Sequence, residues 1–135
     1  MTDRTERDYS GRSLFEKLGV LAEAHVALVG RHDDEFATAL NERLAKAASI
    51  YLRTRYDIIF LRIDSPRDLA RLARVVSHLK PDGALWIFHP KGRGASPTDG
   101  EVRSSGIAAG LVDNKISAYS ESHTATRFVI PLALR

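Results

Sequence analysis

The sequence predicts an α/β fold: a single domain built on a mostly parallel open sheet, with helices on both faces and an antiparallel hairpin at the C-terminus. Three observations predict it. Residues 56–92, YDIIFLRIDSPRDLARLARVVSHLKPDGALWIFHPKG, read as strand, helix, strand, which is one parallel crossover unit. Residues 24–30 (AHVALVG) form a short apolar run followed by a helical pattern. Residues 111–119 and 126–132 read as the two strands of a closing hairpin.

Taken in order, residues 1–11 form a polar tail, and residues 12–135 form the domain. Ser13–Leu18 (SLFEKL) is a short amphipathic helix with Leu14, Phe15 and Leu18 on one side, ended by Gly19. Residues 24–30 are the buried first strand. Asp33 or Asp34 caps a helix in which Phe36, Leu40, Leu44 and Ala47 recur at helical spacing. Residues 49–53 (SIYLR) form a second strand, and only Thr54 and Arg55 separate it from the third, residues 56–63. Asp64 and Ser65 precede Pro66, which suits the first turn of a helix striped by Leu69, Leu72, Ala73, Val76 and Leu79. Residues 80–83 (KPDG) stop that helix, and residues 84–89 (ALWIFH), with Trp86 in the core, are the fourth strand. A Gly/Ser/Pro loop at 91–100 leads to a helix over 101–109 that ends at Gly110, and Pro131 cuts the last strand short.

The chain has 135 residues, 44% of them hydrophobic. Such a length suits one domain that buries about two-thirds of its unfolded surface. The absence of cysteine excludes disulfides, thiolate zinc sites and cysteine nucleophiles. The formal charge is +3, from 20 basic and 17 acidic residues, too even a balance for a nucleic-acid binder. The N-terminus, MTDRTERDYSGR, lacks the apolar segment of a signal peptide, and no run is long enough to span a bilayer. The expectation is a cytoplasmic protein with no membrane partner.

The segments HVALVG, LKPDGALWIFHPKG and AAGLVDNKISAYSESHTATRFVI, in this order, resemble the class I S-adenosylmethionine-dependent methyltransferase fold. They resemble more closely a small bacterial family of unknown function that has a shortened form of that framework. There a GRSLFEKLG-like opening, a VALVG strand, an LKPDGALW segment and a GLVD segment recur. The likeness covers residues 11–129. It implies a Rossmann-like sandwich of six strands in the order 2-1-3-4-6-5, the sixth antiparallel. Three features depart from the larger family. The turn after the first strand, Gly30-Arg31-His32-Asp33-Asp34, has one glycine. The second strand ends Leu52-Arg53-Thr54-Arg55, with no carboxylate to accept from ribose hydroxyls. The strand-helix unit before the fourth strand is missing. These departures point away from S-adenosylmethionine, and no cofactor is expected.

Ligands on wound sheets bind at the carboxyl ends of the strands. Gly30, Arg31, Asp64, His89 and Lys91 are therefore the candidate binding residues. With Arg53, Arg55, Arg67 and Arg93, the last two candidates form an electropositive rim for an anionic small molecule, with loop 91–100 as its lid. Asp64 is the sole catalytic candidate, as a base or a holder of a substrate amine, and serves equally as a helix cap with Ser65. His32-Asp33-Asp34 invites a metal or phosphate, but reads more simply as a helix cap beside an exposed histidine, so no metal is expected. Arg67, Arg71, Arg74 and His78 share one helical face, with no aromatic residues interleaved for stacking on bases. Ser122, His123 and Asp99 do not make a hydrolase triad, because no nucleophile elbow surrounds Ser122. The leading expectation is a non-catalytic or cryptic domain that binds an anionic small molecule or a protein partner at this rim. The alternatives are an active S-adenosylmethionine-dependent methyltransferase with an atypical pocket, and a structural subunit of a homo-oligomer paired through a sheet edge.

Overall fold

A computed structural model describes residues 13–135; the expected tail, residues 1–11, lies outside the described residues. The elements are α1 (Ser13–Leu18), β1 (Val26–Val29), α2 (Asp34–Arg43), β2 (Tyr56–Arg62), a 3-10 helix (Pro66–Arg71) running into α3 (Leu72–Val76), β3 (Leu79–Pro90), α4 (Asp99–Ala108), β4 (Val112–Ala118), β5 (His123–Val129) and a 3-10 turn at Leu132–Leu134.

The sheet has five strands in the order β1-β2-β3-β5-β4. β1, β2 and β3 are parallel, and β5 runs antiparallel to both β3 and β4. This is the expected order without its second strand. Of residues 49–53 only Ser49 joins the sheet, through one parallel bridge to Ala27. The reason is steric. Parallel strands require a long crossover, and two residues cannot return the chain to the amino end of β2. Residues 50–55 make that return, so they cannot extend beside β1.

Alternating side chains of the central strands feed two cores. On one face Phe15 and Leu18 of α1 and Phe36 and Leu40 of α2 pack on Ile58, Phe60, Trp86 and Phe88. On the other, Leu72 and Val75 of α3 and Val102 of α4 pack on Ile59, Leu61, Leu85, Ile87 and Phe128. Each such side chain contributes about 1.5–3 kcal/mol on burial. Trp86 is fully buried and donates its indole N–H to the Leu18 carbonyl, 3.0 Å away, which fastens the end of α1 to the sheet.

The helix expected after β2 is split. Asp68 reaches back to accept from the amides of Asp64 (2.9 Å) and Ser65 (3.1 Å), and a tight 3-10 turn follows before α3. The Asp64 amide bond is the main reason that the Asp68 carboxyl sits below its ordinary pKa. β3 begins at Leu79, earlier than expected, through a register shift against Tyr56 and Ile58. The loop expected over 91–100 is shorter, because Thr98 starts α4 with a capping box to Glu101.

α4 lies close on the sheet because Gly106 has no side chain. A Cβ there would sit 2.3 Å from Cε2 of Phe128. Gly106→Ala should therefore destabilise the domain by roughly 1–3 kcal/mol or more. A fall in the urea midpoint, read from Trp86 fluorescence, is expected; an unchanged midpoint would contradict this packing.

Candidate functional site

The carboxyl ends of β1 and β2 meet at Gly30. Its φ of +96° lies in the region that favours glycine, and a Cβ would sit 2.8 Å from the Arg62 carbonyl oxygen. The glycine is thus required by the neighbouring strand itself.

Arg62, at the end of β2, is the hub of the polar groups there. Its Nη1 lies 3.3 Å from Asp33 Oδ1 and its Nε 3.1 Å from Asp64 Oδ1, with the side chain 13% exposed. Asp33 stands at the start of α2 but makes no side-chain cap; its other oxygen accepts from the Tyr119 hydroxyl at 2.6 Å. Asp64 accepts from His123 Nε2 at 2.9 Å, and the same nitrogen lies 3.2 Å from the Ile63 carbonyl. Both neighbours only accept, so in the neutral ring Nε2 carries the proton and Nδ1 accepts from Ser122 Oγ, 2.8 Å away. A continuous chain results: Tyr119, Asp33, Arg62, Asp64, His123, Ser122. His123 is therefore joined to Asp64, and Asp99 lies elsewhere. Two carboxylates face one guanidinium, so these three side chains together carry no positive excess.

His32 is not the exposed residue expected. Its ring packs on Phe36 (centroids 5.7 Å) and Phe88 (5.3 Å), and Nε2 donates to the Phe60 carbonyl at 2.8 Å. Nδ1 is buried with no hydrogen-bond partner. Burial lowers the His32 pKa to about 4, against the opposing pull of the Phe60 carbonyl. Among the described residues no group of three or more His, Asp or Glu is placed to hold a metal ion.

The five candidate binding residues divide into two sets. Gly30, Arg31 and Asp64 lie around the Arg62 chain. His89 faces α4 on the other side of the sheet and is 2% exposed. Its Nε2 is 2.8 Å from Thr126 Oγ1, and its Nδ1 is 3.6 Å from Asp99 Oδ1. Burial pushes its pKa down, partly offset by Asp99. His89 and Lys91 line a cavity of about 320 Å³ between α4 and the β4–β5 hairpin. Arg53 shares a cavity with His25, Val26 and Tyr56, at the amino end of the sheet, and Arg55 adjoins Tyr56. The expected rim therefore loses both arginines, since the chain had already turned back by residue 53. A further cavity of about 370 Å³, lined by Leu18, Leu21, Asp57, Asp82 and Arg127, is also at the amino end and includes none of the five candidate binding residues.

Sequence reasoning missed the pairing of Asp64 with His123 and the hub role of Arg62. Arg62 was readable only as one more polar residue on a strand, and 59 positions separate Asp64 from His123.

No protein-family model and no curated protein matches the chain. Among solved structures, it is similar to an O-methyltransferase of neocarzinostatin biosynthesis in complex with S-adenosyl-L-homocysteine (TM-score 0.68, 14% identity, covering 92% of this chain and 54% of that one). It is also similar to magnesium protoporphyrin IX methyltransferase from Synechocystis PCC 6803 with bound S-adenosylmethionine (0.65, 10%, 88% and 76%). A third is the CcbJ methyltransferase from Streptomyces caelestis (0.60, 11%, 97% and 99%). The fold is that of class I S-adenosylmethionine-dependent methyltransferases.

The depressed His32 pKa has a definite consequence. The unfolded chain takes up a proton near the ordinary value of 6.5, and the folded protein only near 4. Stability is therefore complete above about pH 6.5 and falls as the pH drops toward 4, by about 3 kcal/mol from this residue. His89 acts in the same direction. Urea titrations at pH 7, 5 and 4 should show the decline, and His32→Gln, which retains a donor for Phe60, should flatten it. An equal decline in the variant would contradict the assignment.

Proposed function

We propose that this domain is a non-catalytic small-molecule-binding module on a methyltransferase scaffold, and that S-adenosylmethionine is not its ligand. The observation that carries this reading is the position of Arg62. Ligands of wound sheets sit where the chain's direction across the sheet reverses, here at β1, which has the Ser49 bridge on one side and β2 on the other. At that point the Arg62 backbone lies against Gly30, and its guanidinium is engaged by Asp33 and Asp64. Both carboxylates are further occupied by Tyr119 and His123. Ser49, the bridge residue beside β1, is followed by Ile50, Tyr51, Leu52 and Arg53, so no carboxylate is there to receive ribose hydroxyls. These residues do not fit the nucleotide. In this reading Gly30 and Asp64 hold the strand ends together, Arg31 stays in solvent, and His89 and Lys91 are the residues that meet an anionic ligand.

A second reading has one observation in its favour, the likeness of fold to proteins solved with S-adenosylmethionine or its demethylated product. In it the domain is a methyltransferase with an atypical pocket and Asp64, coupled to His123, as the base.

Thermal denaturation with S-adenosylhomocysteine separates the two. A ligand at 100 times its dissociation constant adds about 2.7 kcal/mol, a rise of several degrees in Tm. The first reading expects an unchanged Tm at millimolar ligand. A dose-dependent rise, abolished by Asp64→Asn, would establish the second.

A further inference from the structure

We propose that the groove between α4 and the β4–β5 hairpin is a binding site for a small carboxylic acid with an apolar body, such as a medium-chain fatty acid or an aromatic acid. The inference deepens the reading above and rests on it only for the ligand's being anionic.

Three features of the groove specify this chemistry. The first is a buried polar pair with a proton to spare. If His89 Nε2–H donates to Thr126 Oγ1, the threonine hydroxyl proton has no further acceptor among the described residues. If the hydroxyl donates to Nε2, the ring proton sits on Nδ1, which has no hydrogen-bond partner. The nearest carboxylate oxygen, on Asp99, is 3.6 Å away, beyond hydrogen-bonding distance, and its side chain is 78% exposed. Buried donors are ordinarily satisfied. A ligand oxygen that displaces the Asp99 side chain would satisfy this one.

The second feature is charge. Of the cations that line the groove, Arg103 is bound to Asp113 at 3.1 Å, whereas Lys91 makes no ion pair among the described residues. Lys91 follows β3 directly, two residues from His89. An exposed ammonium beside a buried donor favours a carboxylate, with one oxygen on each.

The third feature is the apolar wall. Val102 of α4, Phe128 of β5 and Ile116 of β4 line the same space, and Ile116 is 70% exposed although its strand is part of the sheet. The volume of about 320 Å³ is at the small end of the ligand-pocket range. It suits a chain of several carbons or one aromatic ring.

The test uses octanoate and benzoate as probes and methyl NMR of the intact protein as readout. Saturable shifts of the Val102, Ile116 and Thr126 methyl signals are expected, with octanol binding at least tenfold more weakly than octanoate. Two exposed positions allow variants that retain the fold. Lys91→Ala should weaken octanoate about tenfold and leave octanol unchanged. Ile116→Asp should weaken both. The absence of saturable shifts with either acid at millimolar concentration would overturn the proposal, as would shifts that neither substitution alters. S-adenosylhomocysteine, added separately, distinguishes the two failures. Binding of that nucleotide with a responsive groove would remove the proposed function and leave the site. A silent groove with no nucleotide binding would remove the site alone.

Discussion

The close approach of Arg62 to Gly30 is the constraint on which the rest of the site depends. β1 and β2 are neighbours in register over Val26 to Val29 and Ile58 to Leu61, so their carboxyl ends emerge side by side. A side chain at position 30 would collide with the Arg62 backbone, and the left-handed turn there sends the chain toward α2. That turn sets Asp33 within reach of the Arg62 guanidinium. Asp64 follows two residues later on the other side of the same group. One strand end thereby brings together two carboxylates, and those in turn fix Tyr119 and His123, which come from the hairpin far along the chain. The polar chain joins the first, central and last parts of the domain at one edge.

On the reading proposed above, this arrangement is why the scaffold's usual nucleotide position offers little to a nucleotide. The groups there satisfy one another. The aromatic cluster beneath them, with His32 against Phe36 and Phe88, makes the same region dry and costly to charge. Across the sheet the situation is reversed. His89 is almost fully buried, yet one of its nitrogens has no partner, and it lines the adjacent groove. A buried polar group without a partner opposes folding; His32 Nδ1 is such a group too, but of the two histidines only His89 lines the groove beside α4.

Much of the fold was legible in the sequence. The crossover over residues 56–92, the hairpin and the strand order follow from local pattern and from the handedness rules of parallel sheets. What failed did so for physical reasons that act over distance. The run Ile50 to Arg53 has strand-like composition, but the two residues after it cannot make a parallel connection, and that geometric demand overrides local preference. The same error carried Arg53 and Arg55 to the wrong end of the sheet. His32 sits in a polar stretch, and nothing local reveals that Phe36 and Phe88 will enclose it. Asp64 was singled out by its place after the strongest strand. Its partners were not, because the hydrogen bonds to His123 and Arg62 exist only once the sheet has formed. The groove beside α4 depends on Gly106, whose need is visible only with Phe128 beside it.

In the proposed reading, the strand ends at Gly30 are closed by the protein's own groups. Backbone amide NMR during titration with S-adenosylhomocysteine tests it most directly. The amides of Gly30, Arg31, Arg62 and Asp64 should stay in place at millimolar nucleotide. Saturable shifts centred on those four residues would contradict it.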